Sequence, residues 1–182
     1  MKFIRRWGLM RNTEVENIQE HSLQVAMVAH GLAVIRNRFF GGEIDPQRTA
    51  LLAMFHDANE VITGDLATPV KNFNPEICNA YHDIENSARK RLLAMLPAEL
   101  QSEYEPLFFA REKDGEIWNL IKAADKICAY LKCVDERQAG NKGFLYAERT
   151  LRDRVDKLDL PEVQYFMAEF VPSFSLTLDE LN

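Results

Sequence analysis

Apolar residues recur at steps of three and four along the first long segment of the chain. The positions that share this spacing are Ile18, His21, Val25, Val28, Leu32 and Ile35. Such spacing places side chains on one face of an amphipathic helix. Asn17 followed by Glu20 matches a capping box, so we predict that the helix begins there and runs to about Arg38. His21 therefore interrupts a face that is otherwise apolar.

Caps and prolines predict two further helices in the first half of the chain. Asp45-Pro46 is typical of a helix start, and the helix that follows is expected to end near Asp57. Asn74-Pro75-Glu76 repeats the signal and predicts a helix to about Leu96, where Pro97 stops it. Between these helices, residues 63–73 are expected to form a loop.

Sequence signals in the second half of the chain predict three more helices. Asp114 is expected to cap a helix over 116–139, which Gly140-Asn141 ends. Further helices are expected over 144–157 and 162–170. No alternating strand pattern persists, and we find neither a repeat nor a linker. The sequence thus predicts an all-α fold with a single domain over residues 1–182.

Two of these helices carry polar groups at positions expected to face the core. The run 51–55 is apolar on all sides, which is typical of a buried helix, and it ends in His56-Asp57. In the later helix, Asp125 shares a face with the apolar residues Ile121, Ala124 and Cys128. Burial of an imidazole or a carboxylate is costly unless the group is paired, protonated or bound to a metal.

Four such residues from three helices form a candidate site for one divalent ion. They are His21, His56, Asp57 and Asp125. The alternative is that the histidines are hydrogen-bonded core residues and that the aspartates cap helices or pair with arginine. Imidazole and carboxylate ligands suit Mn²⁺, Co²⁺, Fe²⁺ or Zn²⁺, and the sequence does not choose among them. His30 and His82 are expected to face away from this site, which argues against two metals.

Charge and composition limit the classes of partner. The chain is 47% hydrophobic, and its net charge of −6 without a basic block disfavours a nucleic-acid polymer. A small phosphate ligand stays possible. No apolar stretch approaches the roughly 20 residues of a membrane span. Arg5-Arg6 disfavours a signal peptide, and the cysteines at 78, 128 and 133 are odd in number, so we expect reduced thiols and a cytoplasmic protein.

The polar motifs resemble those of a known superfamily. Glu20-His21-Ser22, Phe55-His56-Asp57-Ala58-Asn59-Glu60 and Ala124-Asp125 resemble the H…HD…D signature of the HD superfamily of metal-dependent phosphohydrolases. The flanking segments Arg6-Trp7, Gly64–Lys71 and Phe170–Phe174 resemble the bacterial 5′-deoxynucleotidases. Ala67 stands where that family carries proline.

The resemblance implies a fold, an activity and a set of partners. The fold is an all-α HD domain, usually a homodimer. The activity is hydrolysis of deoxyribonucleoside 5′-monophosphates, with cobalt or manganese favoured. It also implies a set of substrate contacts, which are Arg6, Trp7, His21, Asp65, Leu66, Ala67, Thr68 and Asp125.

Each catalytic assignment has a plainer alternative. Glu60 follows His56 by four residues, so it can orient or deprotonate the attacking water, or it can be a surface glutamate. Asp65 can accept a substrate proton or hydrogen bond, or it can serve a turn, and the sequence does not decide whether Glu60 or Asp65 is the base. Arg6 can bind phosphate with two hydrogen bonds, and only the resemblance selects it over Arg5. Trp7 can exclude a 2′-hydroxyl, or it can anchor the N-terminus in the core.

Two other functions stay open at this point. One is hydrolysis of nucleoside triphosphates or cyclic nucleotides by an HD domain, although such activities call for more basic residues or histidines than this chain offers. The other is a catalytically silent HD domain that senses a nucleotide. The full set of candidate ligands together with Glu60 favours an active enzyme.

Overall fold

The computed structural model describes residues 1–181, and within them the only bridge between extended segments pairs Arg5 with Asn17. All other regular structure in this range is helical, which confirms the predicted all-α class. The α-helices are α1 (Ile18–Phe39), α2 (Pro46–Phe55), α3 (Glu60–Thr63), α4 (Thr68–Lys71), α5 (Pro75–Ala94), α6 (Ala98–Phe108), α7 (Gly115–Gln138), α8 (Leu145–Asp156) and α9 (Pro161–Glu169).

Helices α1 and α7 form the centre of the molecule. α1 packs against α2, α7 and α9, and α7 also packs against α8. Among the fully buried side chains on these two helices are Ile18, Val25, Leu32, Leu120, Ile121, Ile127 and Leu131. The predicted apolar stripe of α1 is therefore confirmed, and its face includes the fully buried His21.

The predicted helix starts are confirmed where a side chain caps the backbone. Asn17 accepts hydrogen bonds from the N–H groups of Gln19 and Glu20, and Glu20 accepts one from the Asn17 N–H at 3.2 Å. Asp45 and Asn74 cap α2 and α5 in the same way, each followed by proline at the first helical position. These caps satisfy backbone N–H groups that have no partner within the helix.

The prediction that Asp114 caps the next helix is wrong. Asp114 stands just before α7 but makes no side-chain cap. Its carboxylate instead accepts a hydrogen bond from Arg48 Nη2 at 2.9 Å, which links the start of α7 to α2. An arginine in reach is a stronger partner than a backbone N–H, because both members of the pair are charged.

Three other local predictions need correction. The run 51–55 is not buried on all sides, since Leu51 and Met54 are 38% and 42% exposed. α6 is absent from the sequence-based predictions because it begins directly after Pro97 and contains Pro106, and prolines favour helix ends. The expected loop over 63–73 contains the short helix α4, which has proline in its first turn.

The N-terminal segment, residues 1–17, is held against the start of α1 and against α7. The Arg6 N–H donates to the Glu16 carbonyl, and the Ile18 N–H donates to the Ile4 carbonyl, both at 3.0 Å. Farther along, the N–H group of Thr13 donates to the buried carboxylate of Glu136. These contacts bring Arg6 beside the first turn of α1.

No helix within the described part of the chain is long and apolar enough to cross a bilayer. The cysteines are all free thiols, and Cys128 and Cys133 are buried in α7.

Candidate active site

Three of the four candidate metal ligands lie together in the structure. His21 is in the first turn of α1, and His56 and Asp57 lie in the turn that follows α2. One ligand atom from each lies within 4.8 Å of the others. Asp57 Oδ2 is 3.1 Å from His56 Nε2 and 3.6 Å from His21 Nε2. The close packing of α1 on α2 therefore brings together groups that are 35 residues apart in sequence.

The fourth candidate, Asp125, lies at the edge of this cluster. Its Oδ1 atom is 3.1 Å from His21 Nε2, but its carboxylate does not belong to the group of three within 4.8 Å. The Asp125 side chain is 44% exposed, whereas His21 is fully buried. The site is therefore closed on the side of α1 and accessible on the side of α7.

Both histidines present a buried nitrogen with no hydrogen-bond partner. The atoms are Nδ1 and Nε2 of His21 and Nε2 of His56. His56 Nδ1 lies 2.7 Å from the carbonyl oxygen of Ala53, so it must carry the proton that this hydrogen bond requires. The lone pair of the neutral His56 ring then resides on Nε2. This is the arrangement by which proteins orient an imidazole toward a metal ion.

The charged groups of the cluster shift one another's pKa values. Burial opposes ionisation of Asp57, but the adjacent His56 imidazole outweighs it and lowers the pKa of this carboxyl. Burial likewise disfavours the imidazolium form of His56, yet the Asp57 carboxylate raises its pKa to about 9. The pKa of Asp125 is also lowered, because its contact with His21 outweighs the partial loss of solvent around this carboxylate. The carboxylates of Asp57 and Asp125 thus stay ionised, which favours positive charge beside them.

Arg6 lies beside this cluster. Its side chain is 12% exposed, and Nη1 is 3.7 Å from Asp57 Oδ2. Burial acts to lower the pKa of this guanidinium, and the carboxylate of Glu16 outweighs that effect and raises it. Arg5 is exposed and belongs to the backbone bridge with Asn17. The structure therefore turns Arg6, and not Arg5, toward the cluster.

Trp7 adopts an unusual backbone conformation next to Arg6. Its φ of 58° lies in the left-handed region, which is rare for a bulky residue. Its ring packs against Phe144 at a centroid distance of 5.4 Å, and its Nε1 donates to Glu16 at 3.2 Å. Strained backbone of this kind is often found at functional sites, where surrounding contacts hold it.

The two candidate acids follow in and after the short helix α3. Burial, together with the negative charges of Asp57 and Asp65, raises the pKa of Glu60 to about 9. Glu60 Oε2 is buried without a hydrogen-bond partner. Burial also raises the pKa of Asp65, against the opposing effects of Arg6 and the Trp7 backbone. α2 does not continue through Glu60, since a turn over residues 56–59 separates it from α3.

The remaining predicted site residues lie farther along the same connection. Leu66 and Ala67 are half-buried, and Thr68 is exposed at the start of α4. Of the histidines left out of the site, His30 is exposed on the opposite face of α1. The His82 side chain is 55% exposed, and its Nδ1 is 3.1 Å from Glu85.

Glu16 also belongs to this cluster, although no pattern in the sequence predicts it. Its carboxylate contacts Arg6, Trp7 and His21, and the side chain is 11% exposed. Glu16 precedes the helix in a polar segment, so no apolar periodicity indicates that it is buried. The only signal is its position one residue before the N-cap Asn17, close to His21 in sequence.

Comparison with known proteins identifies relatives over the whole chain. The model of the family described as 5′-deoxynucleotidase YfbR-like matches residues 1–174. The 5′-deoxynucleotidase of Vibrio cholerae is 52% identical, with 100% of this chain and 94% of the relative covered. That of Cronobacter sakazakii is 53% identical, with 100% and 92% covered.

Solved structures share the fold at lower identity. An HD-domain phosphohydrolase from Listeria innocua has a TM-score of 0.79 at 22% identity, covering 94% of this chain and 82% of the other. The HD phosphohydrolase of cyanophage S-2L, bound to dA and one catalytic Zn²⁺ ion, has a TM-score of 0.65 at 20% identity, covering 96% and 92%. Since the family model spans nearly the whole chain and full-length relatives are half identical to it, the protein belongs to the YfbR-like family of 5′-deoxynucleotidases.

Proposed function

We propose that the protein hydrolyses deoxyribonucleoside 5′-monophosphates to deoxyribonucleosides and phosphate at the cluster of His21, His56 and Asp57. The observation that carries this assignment is the pair of buried Nε2 atoms on the two histidines, neither with a hydrogen-bond partner. Buried polar atoms are nearly always satisfied in native proteins. Two such nitrogens that face a shared carboxylate fit the ligand set of a cation.

A divalent ion suits these ligands. Two imidazoles and the carboxylates of Asp57 and Asp125 match the mixed nitrogen and oxygen sets of first-row divalent metals. We assign Mn²⁺ or Co²⁺, as the family resemblance favours. When bound, the ion supplies charge that polarises a phosphoryl oxygen and lowers the pKa of a water molecule. His21 and Asp125 also lie where they can contact the substrate.

Glu60 serves as the general base. It takes a proton from the water that attacks phosphorus, while the bond from phosphorus to the 5′-oxygen breaks and the nucleoside takes up a proton. Burial and the negative charges of Asp57 and Asp65 raise the pKa of Glu60 to about 9, and a positive charge bound beside it would lower that pKa toward the range of a base.

Arg6 binds and orients the phosphate. Its guanidinium carries a rigid fork of donors that matches phosphate oxygens, and Glu16 holds its Nε at 3.1 Å. The positive charge of Arg6 also acts on Asp57, Glu60 and Asp65. As negative charge builds on the phosphoryl oxygens in the transition state, this charge stabilises it.

The sugar lies against Trp7 and the connection after α3. Trp7 packs against the deoxyribose and leaves no room for a 2′-hydroxyl. Asp65, whose pKa is raised, accepts a proton or hydrogen bond from the substrate. Leu66, Ala67 and Thr68 present backbone groups along the same side. Their half-buried or exposed positions are compatible with contact to a ligand.

The chemistry favours a single phosphate over a polymer or a triphosphate. One guanidinium and one divalent ion neutralise one phosphate group, and the net charge of −6 disfavours a long polyanion. We also assign the protein to the cytoplasm, in keeping with its free thiols.

A homodimer is the proposed assembly. On α1, the apolar residues Leu23, Met27 and Val34 are 52%, 65% and 43% exposed. They are spaced by four and seven residues, so they lie on one face of the helix, opposite to the buried stripe. Burying such a face against a second copy removes apolar surface from water.

The test is a phosphate-release screen. Purified protein is stripped of metal, loaded with Mn²⁺, Co²⁺ or Zn²⁺, and assayed on deoxy- and ribonucleoside mono-, di- and triphosphates. We expect release from deoxyribonucleoside monophosphates, with far lower rates on the ribose forms. No release from any deoxyribonucleoside monophosphate would refute the assignment, and preferred release from triphosphates would replace it with triphosphohydrolase activity.

A further inference from the structure

The carboxylate of Glu16 joins three side chains of the proposed active site. Its Oε2 accepts hydrogen bonds from Arg6 Nε at 3.1 Å and from Trp7 Nε1 at 3.2 Å. Its Oε1 lies 3.6 Å from His21 Nδ1, on the opposite side of the ring from the Nε2 that faces Asp57. One carboxylate thus contacts the residues assigned to the phosphate, the sugar and the ion.

The Glu16 side chain is only 11% exposed, and its carboxylate lies against the Arg6 guanidinium. A charged acceptor makes shorter and stronger hydrogen bonds than a neutral one. Two hydrogen-bond donors and the adjacent His21 ring surround this carboxylate, which restricts its rotation and fixes the three side chains relative to one another.

The strained backbone of Trp7 needs such a partner. A bulky residue in the left-handed region persists only where surrounding contacts hold it. The Trp7 side chain is held by its packing against Phe144 and by its hydrogen bond to Glu16. Loss of the carboxylate removes the hydrogen bond, which is the directional contact of the two.

The backbone of the N-terminal segment is fixed independently of the Glu16 side chain. The Arg6 N–H bonds to the Glu16 carbonyl and the Ile18 N–H to the Ile4 carbonyl. Residues 13 and 14 donate to Glu136, and Lys132 donates to the Glu14 carbonyl. A substitution confined to the Glu16 carboxylate therefore leaves this segment attached to the rest of the molecule.

We propose that Glu16 is a positioning residue, which holds Arg6, Trp7 and His21 in the mutual geometry that the reaction requires. The proposal rests on the function proposed for those three residues. Glu16 acts through them, because its carboxylate lies on the Nδ1 side of His21, away from Asp57. Groups that hold a metal ligand in place without touching the metal typically contribute 10–100-fold to metal affinity or activity.

The test compares Glu16→Gln with Glu14→Gln, the same substitution at an exposed glutamate two residues earlier. We expect Glu16→Gln to lower kcat/KM on a deoxyribonucleoside monophosphate by about 10–100-fold. It should also weaken Mn²⁺ binding to the metal-stripped protein, a readout that does not depend on turnover. Glu14→Gln should change neither. Equal behaviour of the two variants in both assays would overturn the proposal.

A double-mutant cycle separates positioning from general structural support. If Glu16 acts through Arg6, Glu16→Gln added to Arg6→Ala costs much less than Glu16→Gln alone, because residues that act as a unit are not additive. Losses that simply multiply would overturn the proposal. If Glu16→Gln does not fold, Trp7→Phe removes a single donor to Glu16 while it keeps the packing on Phe144. The cycle is then run with Trp7→Phe and Arg6→Ala, and the same two outcomes decide.

The function and this proposal fail in different ways. An inactive wild-type protein would refute the proposed function, and the Mn²⁺ affinities of the Glu16 and Glu14 variants would still test the contact with His21. An active wild type with an unaffected Glu16→Gln variant would refute the positioning role alone.

Discussion

His56 Nδ1 lies 2.7 Å from the backbone carbonyl oxygen of Ala53, one helical turn earlier in the chain. This contact fixes which ring nitrogen carries the proton and turns the other toward Asp57. This carbonyl lies in the last turn of α2, where it also accepts the backbone N–H of His56 at 3.3 Å. A helix end therefore orients a ligand of the proposed ion.

Glu60→Gln should retain metal and substrate binding but lose turnover. The amide keeps the shape of the side chain and cannot accept the proton of the attacking water. For a general base we expect kcat to fall by about 10²–10⁴-fold, with KM nearly unchanged. Steady-state kinetics on a deoxyribonucleoside monophosphate measure this.

The matched control for Glu60 is Glu103→Gln on α6, an exposed glutamate, which should leave kcat as in the wild type. If Glu60→Gln also kept its full kcat, Glu60 would have no part in proton transfer, and Asp65 would become the candidate base.

Trp7→Ala should reduce discrimination between deoxyribose and ribose. Removing the indole opens space beside the sugar and releases the strained backbone at φ 58°. We expect the ratio of kcat/KM for a deoxyribonucleotide to that for its ribonucleotide to fall. The second tryptophan supplies the control, since Trp118→Phe should not alter this ratio. An unchanged ratio in Trp7→Ala would show that another group excludes the 2′-hydroxyl.

Glu136→Gln should lower the free energy of unfolding, and the size of this loss should depend on pH. Glu136 is 1% exposed and pairs with Lys132, so loss of its charge strands a buried ammonium at a cost of about 3–5 kcal/mol. Burial opposes ionisation of Glu136, but Lys132 and backbone donors outweigh it and lower the pKa to about 2 from 4.5. This stabilisation is therefore present above pH 4.5 and is lost as the pH falls toward 2.

Denaturant unfolding of the wild type and the variant at neutral pH and at successively lower pH measures this effect. The free energies of unfolding should converge as the pH falls. Asp156→Asn provides the control, because it breaks an exposed pair with Arg152 and should cost no more than about 1 kcal/mol. A constant difference between wild type and Glu136→Gln across this range would contradict the lowered pKa.

Much of the fold is predictable from local signals. The stripe of α1 and the caps of Asn17, Asp45 and Asn74 fix where three helices begin, because each satisfies backbone groups that the helix leaves free. α6 is not predictable in this way, since Pro106 suggests a break inside it. The exposed positions of Leu51 and Met54 also cannot be read from α2, whose sequence is apolar on every side.

The candidate site is likewise predictable only in part from the sequence. His21, His56 and Asp57 are identified because they interrupt apolar patterns, and the structure brings them within 4.8 Å. Glu16 belongs to an irregular polar segment, and its burial depends on how that segment folds back over α1. Contacts between a loop and a helix leave no period in the sequence, so geometry alone reveals them.

The most direct measurement of the central claim compares phosphate release by the wild type, His56→Ala and His82→Ala against added Mn²⁺. Both histidines lie near carboxylates, but only His56 faces Asp57, while His82 lies on α5 beside Glu85. We expect the wild type and His82→Ala to release phosphate from a deoxyribonucleoside monophosphate in a metal-dependent manner. His56→Ala should lose metal binding and turnover together. Metal-dependent release by His56→Ala at the wild-type rate would contradict the account.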